Sequence, residues 1–199
     1  MHAFCHDKMP PFCTFYHKEG EQKRGRGSKQ GDFVMKVTGK QRNSRMCFIC
    51  GMDNPVGFHS QFYNMEDGSV MTPIRFEENH QSFPGRVHGG LIATMLDELG
   101  LRALWSGGDE SQFGVTMSIE TKYRKPVPYE EDLFGKGMVV RETKRFFEIN
   151  TAIVDGEGKT LANAVVKYLK LDPQSIKQGI NPHEEMCYLI EDDVTELGY

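Results

Sequence analysis

The chain has 199 residues and a formal net charge of −4, with 38% hydrophobic and 26% charged residues. This is the composition of a globular protein, and the length suits one domain with a sizeable core. No stretch approaches the ~20 consecutive apolar residues of a membrane-spanning helix, so we expect no membrane segment. Five cysteines, odd in number and widely spread, argue against a disulfide framework.

Residues 1–45 are basic, with ten Lys and Arg against four Asp and Glu. The first twenty residues lack the basic-then-apolar run of a secretory signal, so we expect a cytoplasmic location. The positive charge is scattered through a glycine-rich stretch, EQKRGRGSKQG, without interleaved aromatic residues. We therefore predict a poorly ordered leader and no nucleic-acid partner.

A Cys-x-x-Cys motif follows at Cys47 and Cys50. Structural zinc needs four ligands and this motif supplies two, while the Cys and His residues nearer the N-terminus lack the paired spacing of a zinc ribbon. A thioredoxin-like motif needs a βαβ setting, which is absent. We expect no metal here, but a buried turn with free thiols, in line with Asn54-Pro55 just beyond it.

Regular patterning begins at Phe58. Two runs rich in aromatic and β-branched residues, FHSQFYN and SVMTPIRF, flank Glu66-Asp67-Gly68 and predict a β-hairpin. A loop, EENHQSFPG, separates this hairpin from the next element.

The next element is a helix, predicted over residues 90–105. Its apolar residues share one broad face, and Ser106-Gly107-Gly108 ends it. An acidic pair, Asp97-Glu98, lies in its middle, and a carboxylate among leucines is costly unless it is solvated, paired or used in chemistry.

Four strands are predicted after the helix, at residues 115–123, 133–142, 146–154 and 161–171. One helix covered by consecutive antiparallel strands predicts an α+β domain over residues 46–172, with a curved sheet wrapped around one long central helix. The acidic tail, 173–199, is predicted to form a short peripheral helix.

The segment HGGLIATMLDELG, His88 to Gly100, resembles the His-Gly-Gly, six residues, Asp pattern of the acyl-coenzyme A thioesterases related to the phenylacetate-pathway enzyme. TKYRKPVP and CFICGMDNPVGFH resemble further segments of that family. The resemblance covers about residues 46–171. It implies a hotdog fold, hydrolysis of acyl-CoA thioesters without a metal or other cofactor, and a homodimer or dimer of dimers with its site at the subunit interface.

Asp97 is the predicted nucleophile or general base, and these two roles stay open. The chemistry also needs donors for the oxygen that becomes negative, and a helix start exposes free N–H groups. The N–H of Gly90, or of its neighbour Leu91, is therefore the predicted oxyanion donor. His88 is expected to orient the loop or hold the substrate, and Thr116 to hold the attacking water or the carboxylate.

Glu98 points about 100° away from Asp97 on a helix and is expected to be solvated or salt-bridged.

A second set of residues is predicted to bind substrate. Gly89 lets the substrate approach the helix start, and basic side chains at a strand end suit the phosphates of coenzyme A. The set is Gly89, Asn79, His80, Phe83, Arg124 and Lys125.

Two functions fit these residues: a thioester hydrolase acting on acyl-CoA, and a non-catalytic hotdog module that binds acyl-CoA. A binding module has no need of a carboxylate that faces a thioester, so Asp97 favours the hydrolase. The sequence does not indicate the acyl group.

Overall fold

The computed structural model describes residues 33–172 and 185–199. Most of the predicted leader and the first part of the tail, 173–184, lie outside the described residues. The elements in chain order are β1 (Val34–Lys40), β2 (Tyr63–Met65), β3 (Val70–Ile74), a 3₁₀ turn (Glu78–His80), β4 (Gln81–Phe83), β5 (Arg86–Val87), α1 (Gly89–Ala103), β6 (Phe113–Tyr123), β7 (Leu133–Glu142), β8 (Phe146–Val154), β9 (Thr160–Leu171) and β10 (Glu196–Gly198).

Eight strands form one sheet in the order β10-β1-β2-β3-β7-β8-β9-β6, and neighbouring strands pair antiparallel. The predicted hairpin is β2–β3, and Gly68 at its turn has φ 79°. The four strands predicted after the helix are β6 to β9. Strand β6 lies at one edge of the sheet, which matters for the site described below.

The helix α1 packs against this sheet. Its buried residues Ile92, Met95, Leu96 and Leu99 have side chains at most 3% exposed, and they join one core with residues of β3 and of β7 to β9. This confirms the predicted α+β class, with the helix starting and ending one or two residues earlier than expected. Among the described residues, no helix is long and apolar enough to cross a membrane.

Four strands lie where none was predicted: the short pair β4 and β5, in and just after the predicted loop, and the strands β1 and β10. Residues 34–40, assigned from the sequence to a poorly ordered leader, form β1, so the predicted boundary at residue 46 is wrong for this segment. In the tail, the described residues 185–199 include β10, and the predicted short helix stays a prediction because most of the earlier part of the tail lies outside the described residues. The reason for β1 and β10 is mutual pairing: β1 bonds to β2 and β10, and Met35 and Leu197 become 6% and 3% exposed in a small second core.

Candidate active site

The carboxylate of Asp97 is the centre of a small hydrogen-bonded cluster. Thr116 on β6 donates its hydroxyl to Oδ1 and Oδ2 of Asp97 at 3.0 and 3.2 Å. Tyr168 on β9 donates its hydroxyl to Oδ1 at 2.9 Å and also contacts the backbone oxygen of Asp97. Asp97 is half-buried and Thr116 is exposed, so the cluster faces the outside of this chain. The costly acidic residue is therefore both paired and accessible.

The sheet brings the two hydroxyls together. Thr116 and Tyr168 are direct partners in the β6–β9 ladder, and the register shifts between Thr116 and Ser118. Tyr168 also depends on Gly100 of α1, where an added Cβ would lie 2.7 Å from the tyrosine hydroxyl oxygen. Helix and sheet can approach this closely only because that position carries no side chain.

Tyr168 is a functional candidate that sequence reasoning missed. Its side chain is 2% exposed, and burial, together with the nearby negative charge of Asp97, raises its pKa well above the ordinary value. The hydroxyl therefore stays protonated and donates to the carboxylate. The sequence held one usable signal, a tyrosine in the predicted strand 161–171, but the ladder register that aims it at Asp97 is a tertiary property.

The helix start is organised by His88. This residue is the N-cap, and its Nδ1 accepts the N–H of Gly90 at 3.0 Å, while its backbone oxygen accepts the N–H of Leu91 at 3.0 Å. The two N–H groups predicted as oxyanion donors are therefore already hydrogen-bonded in this chain. Within the described part of the chain, no acceptor is recorded for the N–H of Gly89. The hydroxyl of Tyr123 donates to the oxygen of Gly89 at 2.9 Å and holds this turn in place.

The two halves of the predicted machinery lie apart. Asp97 follows Gly90 by seven residues on one helix, which corresponds to ~10 Å along the axis. One thioester carbon cannot contact both positions of the same chain at once.

The predicted substrate-binding residues occupy the surroundings of the helix start. The ring of His80 packs at 4.5 Å from that of Phe58, its Nδ1 accepts the N–H of Glu77, and burial lowers its pKa. This gives His80 a structural role in the loop. Asn79 is exposed in the 3₁₀ turn, and Phe83 is exposed to 71%.

Arg124 and Lys125 directly follow Tyr123, at the end of β6 that reaches the helix start. Both side chains are exposed, and Arg124 Nε donates to the side chain of Asn163 at 2.9 Å. The two basic residues therefore lie on the same side of the molecule as Gly89.

Glu98 is salt-bridged, as predicted. Its Oε1 accepts Nε of Arg102 at 2.8 Å, one helical turn on, and the arginine side chain is 1% exposed. The Arg102 guanidinium lies over the rings of Phe62 and Trp105, at 4.6 and 5.1 Å from their centroids. The two adjacent acids therefore have different partners: Asp97 contacts the hydroxyls of the sheet, and Glu98 contacts the buried Arg102 guanidinium.

Asp97, Thr116 and the helix start lie in a segment that resembles a known family, and Tyr168 lies just beyond it. Residues 84–162 match the model of the Thioesterase superfamily. This segment, less than half of the chain, is therefore similar to thioesterase superfamily domains. It contains α1, β6, β7 and β8, and with them Asp97, Thr116 and the His-Gly-Gly turn.

Individual relatives agree with this assignment. The chain is 26% identical over 136 residues to acyl-coenzyme A thioesterase THEM4 of Rattus norvegicus, which covers 67% of this chain and 57% of that protein. It is 30% identical over 77 residues to acyl-coenzyme A thioesterase 13 of Homo sapiens, covering 39% and 54%. The chain thus spans just over half the length of these relatives.

A solved thioesterase superfamily protein superposes on this chain with a TM-score of 0.58 at 26% identity, covering 62% of this chain and 63% of that one. This match confirms the predicted hotdog architecture.

Proposed function

We propose that the protein hydrolyses acyl-CoA thioesters, with Asp97 as nucleophile or general base. The observation that carries the proposal is the convergence of the Thr116 and Tyr168 hydroxyls on a half-buried, outward-facing Asp97 carboxylate. The relatives named acyl-coenzyme A thioesterases support the substrate class. The closer assignment to the phenylacetate-pathway type rests on the sequence resemblance alone.

The hydroxyls fix which carboxylate oxygen can react. Oδ1 of Asp97 accepts from both Thr116 and Tyr168, while Oδ2 accepts only the longer bond from Thr116. Oδ2 therefore has the freer lone pairs, and we assign it the attack on the thioester carbon or the removal of a proton from water. As a base, Asp97 delivers water to the thioester carbon, and the thiolate of coenzyme A leaves as the acid forms. As a nucleophile, Asp97 displaces the thiolate to give an acyl anhydride, which water then hydrolyses to release the acid.

The negative oxygen of the intermediate needs a donor at a helix start. Gly90 stays a predicted donor, but its N–H bonds to His88 in this chain. The neighbouring N–H of Gly89 is the better candidate, because no group among the described residues accepts it. The exposed Arg124 and Lys125 lie beside it and suit the phosphates of coenzyme A.

A second copy of the chain completes the site in this proposal. Asp97 and Gly89 are too far apart along one helix to contact one carbonyl. Strand β6, which carries Thr116, is a sheet edge that exposes Val115, Met117 and Tyr123 to 47%, 59% and 54%. Exposed apolar edge strands are normally covered. We therefore propose a homodimer, or a dimer of dimers, across this edge, with Asp97 of one subunit facing the helix start of the other.

The alternative function is an acyl-CoA-binding module without turnover. It shares the fold, the exposed basic residues and the helix start, and it differs only in needing no reactive carboxylate. The hydroxyl contacts of Asp97 favour the hydrolase, since they orient a group that a binding module does not use.

The test is release of free CoA thiol from a panel of acyl-CoAs. Asp97→Asn and Asp97→Ala are compared with Asp132→Asn, a matched change at a carboxylate that forms an exposed ion pair with Arg75. We expect Asp97 variants to lose about 10²–10⁴-fold in kcat, the usual contribution of a catalytic acid or base, and the control to keep its activity. The wild type also reveals the acyl preference.

Two results would contradict the proposal. Wild-type protein that binds acyl-CoA in calorimetry without releasing thiol is a binding module. Asp97 variants that hydrolyse as fast as the Asp132 control show that the acidic residue is structural.

A further inference from the structure

Three donor atoms meet beside α1, next to Glu98, which directly follows Asp97 and points about 100° away from it around the helix. The Sγ atoms of Cys47 and Cys50 and a carboxylate oxygen of Glu98 all lie within 4.8 Å of one another. Cys50 is 1% exposed, and Cys47 is half-buried. The sequence motif shows only two of these donors, because the third comes from the helix.

We propose that Cys47, Cys50 and Glu98 form a binding site for a thiophilic divalent cation of the zinc class. Zinc takes thiolate and carboxylate ligands, and its tetrahedral shell places them ~3.5–3.8 Å apart. The Cys47 Sγ to Glu98 Oε2 distance is 3.8 Å. The site differs from the sequence expectation of a turn without metal, and it goes beyond the proposed hydrolase activity without depending on it.

The backbone already holds the two sulfurs in a turn suited to a cation. The N–H of Ile49 donates to Sγ of Cys47 at 3.4 Å, and the N–H of Gly51 donates to the backbone oxygen of Cys47 at 2.8 Å. A Cβ at Gly51 would lie 2.3 Å from that oxygen, so the turn requires glycine there. Ser44 Oγ lies 3.4 Å from Sγ of Cys50. Donors of this kind orient and stabilise thiolate ligands.

Charge balance explains the buried arginine next to the site. Arg102 bonds to Oε1 of Glu98 and so leaves Oε2 facing Cys47. Two thiolates and a carboxylate carry three negative charges, which a divalent cation and the Arg102 guanidinium together balance. Arg102 thus acts as an outer partner that orients the carboxylate ligand.

The cation would tie the turn at residues 47–50 to α1, one residue beyond Asp97. Among the described residues, no fourth His, Cys, Asp or Glu joins the group. The remaining position of a tetrahedral shell is therefore open to water or another small ligand.

The experiment uses the full chain in a Cys5→Ser, Cys13→Ser, Cys187→Ser background, which leaves Cys47 and Cys50 as the only thiols. Metal content is measured after zinc-supplemented expression. In a second measurement, metal is removed from the protein with a chelator, Co²⁺ is titrated in, and the thiolate-to-cobalt charge-transfer absorption is followed. We expect one cation per chain and two sulfur ligands by X-ray absorption. Cys47→Ser should abolish the charge transfer, and Glu98→Gln should weaken binding by at least about tenfold.

Circular dichroism and thermal melting check that each variant folds. X-ray absorption is measured on protein that keeps both Cys47 and Cys50, so this result stands even if the Cys47→Ser or Glu98→Gln variant fails to fold. Cation binding that survives Cys47→Ser unchanged would place the metal elsewhere and overturn the proposal. So would substoichiometric metal with no charge transfer. A Cys47–Cys50 disulfide formed in air by a protein that takes up no Co²⁺ when reduced would also overturn it, and would identify the pair as a redox dithiol.

Discussion

Thr116 and Tyr168 lie directly opposite each other in the β6–β9 ladder, and both donate their hydroxyls to Oδ1 of Asp97, at 3.0 and 2.9 Å. One cross-strand pair thus aims two donors at a single carboxylate on the helix above it. The geometry needs a fixed register, since a slip by one residue would turn both side chains to the other face. The orientation of the acid is therefore a property of the sheet.

Removing one donor tests this arrangement. In Tyr168→Phe the ring is kept but the bonds to the Oδ1 and backbone oxygens of Asp97 are lost. A hydrogen bond to a charged group is worth ~1.5–3 kcal/mol, so we expect kcat to fall about ten- to a hundredfold with little change in KM. Steady-state kinetics on the preferred acyl-CoA measure both constants. A rise in KM with unchanged kcat would show that Tyr168 acts on substrate binding instead.

Thr116 offers a matched pair of substitutions. Thr116→Ser keeps the hydroxyl that bonds to Asp97, whereas Thr116→Val keeps the branched shape and removes it. We expect the valine variant to lose about tenfold or more in kcat and the serine variant to stay close to wild type. Because both variants sit on an exposed edge strand, their melting temperatures should be similar. Equal activities in the two variants would remove the hydroxyl from the mechanism.

Gly100→Ala should damage the site from a distance. Its new Cβ would lie 2.7 Å from the hydroxyl oxygen and 2.9 Å from Cε2 of Tyr168, whose ring is buried and cannot move freely. Overpacking costs ~1–3 kcal/mol, which exceeds the ~1 kcal/mol that alanine gains over glycine in a helix. We expect lower stability in urea unfolding and reduced kcat.

Gly156→Ala is the control for this change, because nothing lies within 4 Å of its added Cβ. It should leave both stability and activity near wild type. If Gly100→Ala unfolds at the same urea concentration as this control and retains its kcat, the close packing of Tyr168 on the helix does not position Asp97.

The elements that could be predicted from the sequence are those held by interactions between residues close together in the chain. The helix, β7 and β8 were predicted to within about two residues, because their periodicity and turns are local. β1 and β10 were missed, because each is stabilised by the other across most of the chain length.

The same division applies to the residues of the sites. Asp97 was found by its spacing from His-Gly-Gly and Thr116 by its place in the strand after the helix, and the structure brings them into contact. Tyr168 and the approach of Glu98 to Cys47 were not found, since strand register and helix docking bring them together. The cytoplasmic location, the lack of a nucleic-acid partner and the acyl preference stay predictions or open questions.

The last prediction separates the two glycines of the helix start. Gly89 is the first residue of α1, a position that accepts proline, and His88 before it has φ −63° and ψ 131°, the extended backbone that suits a residue preceding proline. Gly89→Pro therefore removes one N–H while keeping the helix. Gly89→Ala is the matched control, since it keeps the N–H and places its Cβ at an ordinary 3.5 Å from the ring of Tyr123. If the Gly89 N–H stabilises the negative oxygen, the proline variant should lose about 10²–10³-fold in kcat. The alanine variant keeps the N–H but adds a Cβ where the substrate approaches, and it should lose clearly less. Proline and alanine variants of equal activity would return the role to Gly90, and His88 would then have to release that N–H during turnover.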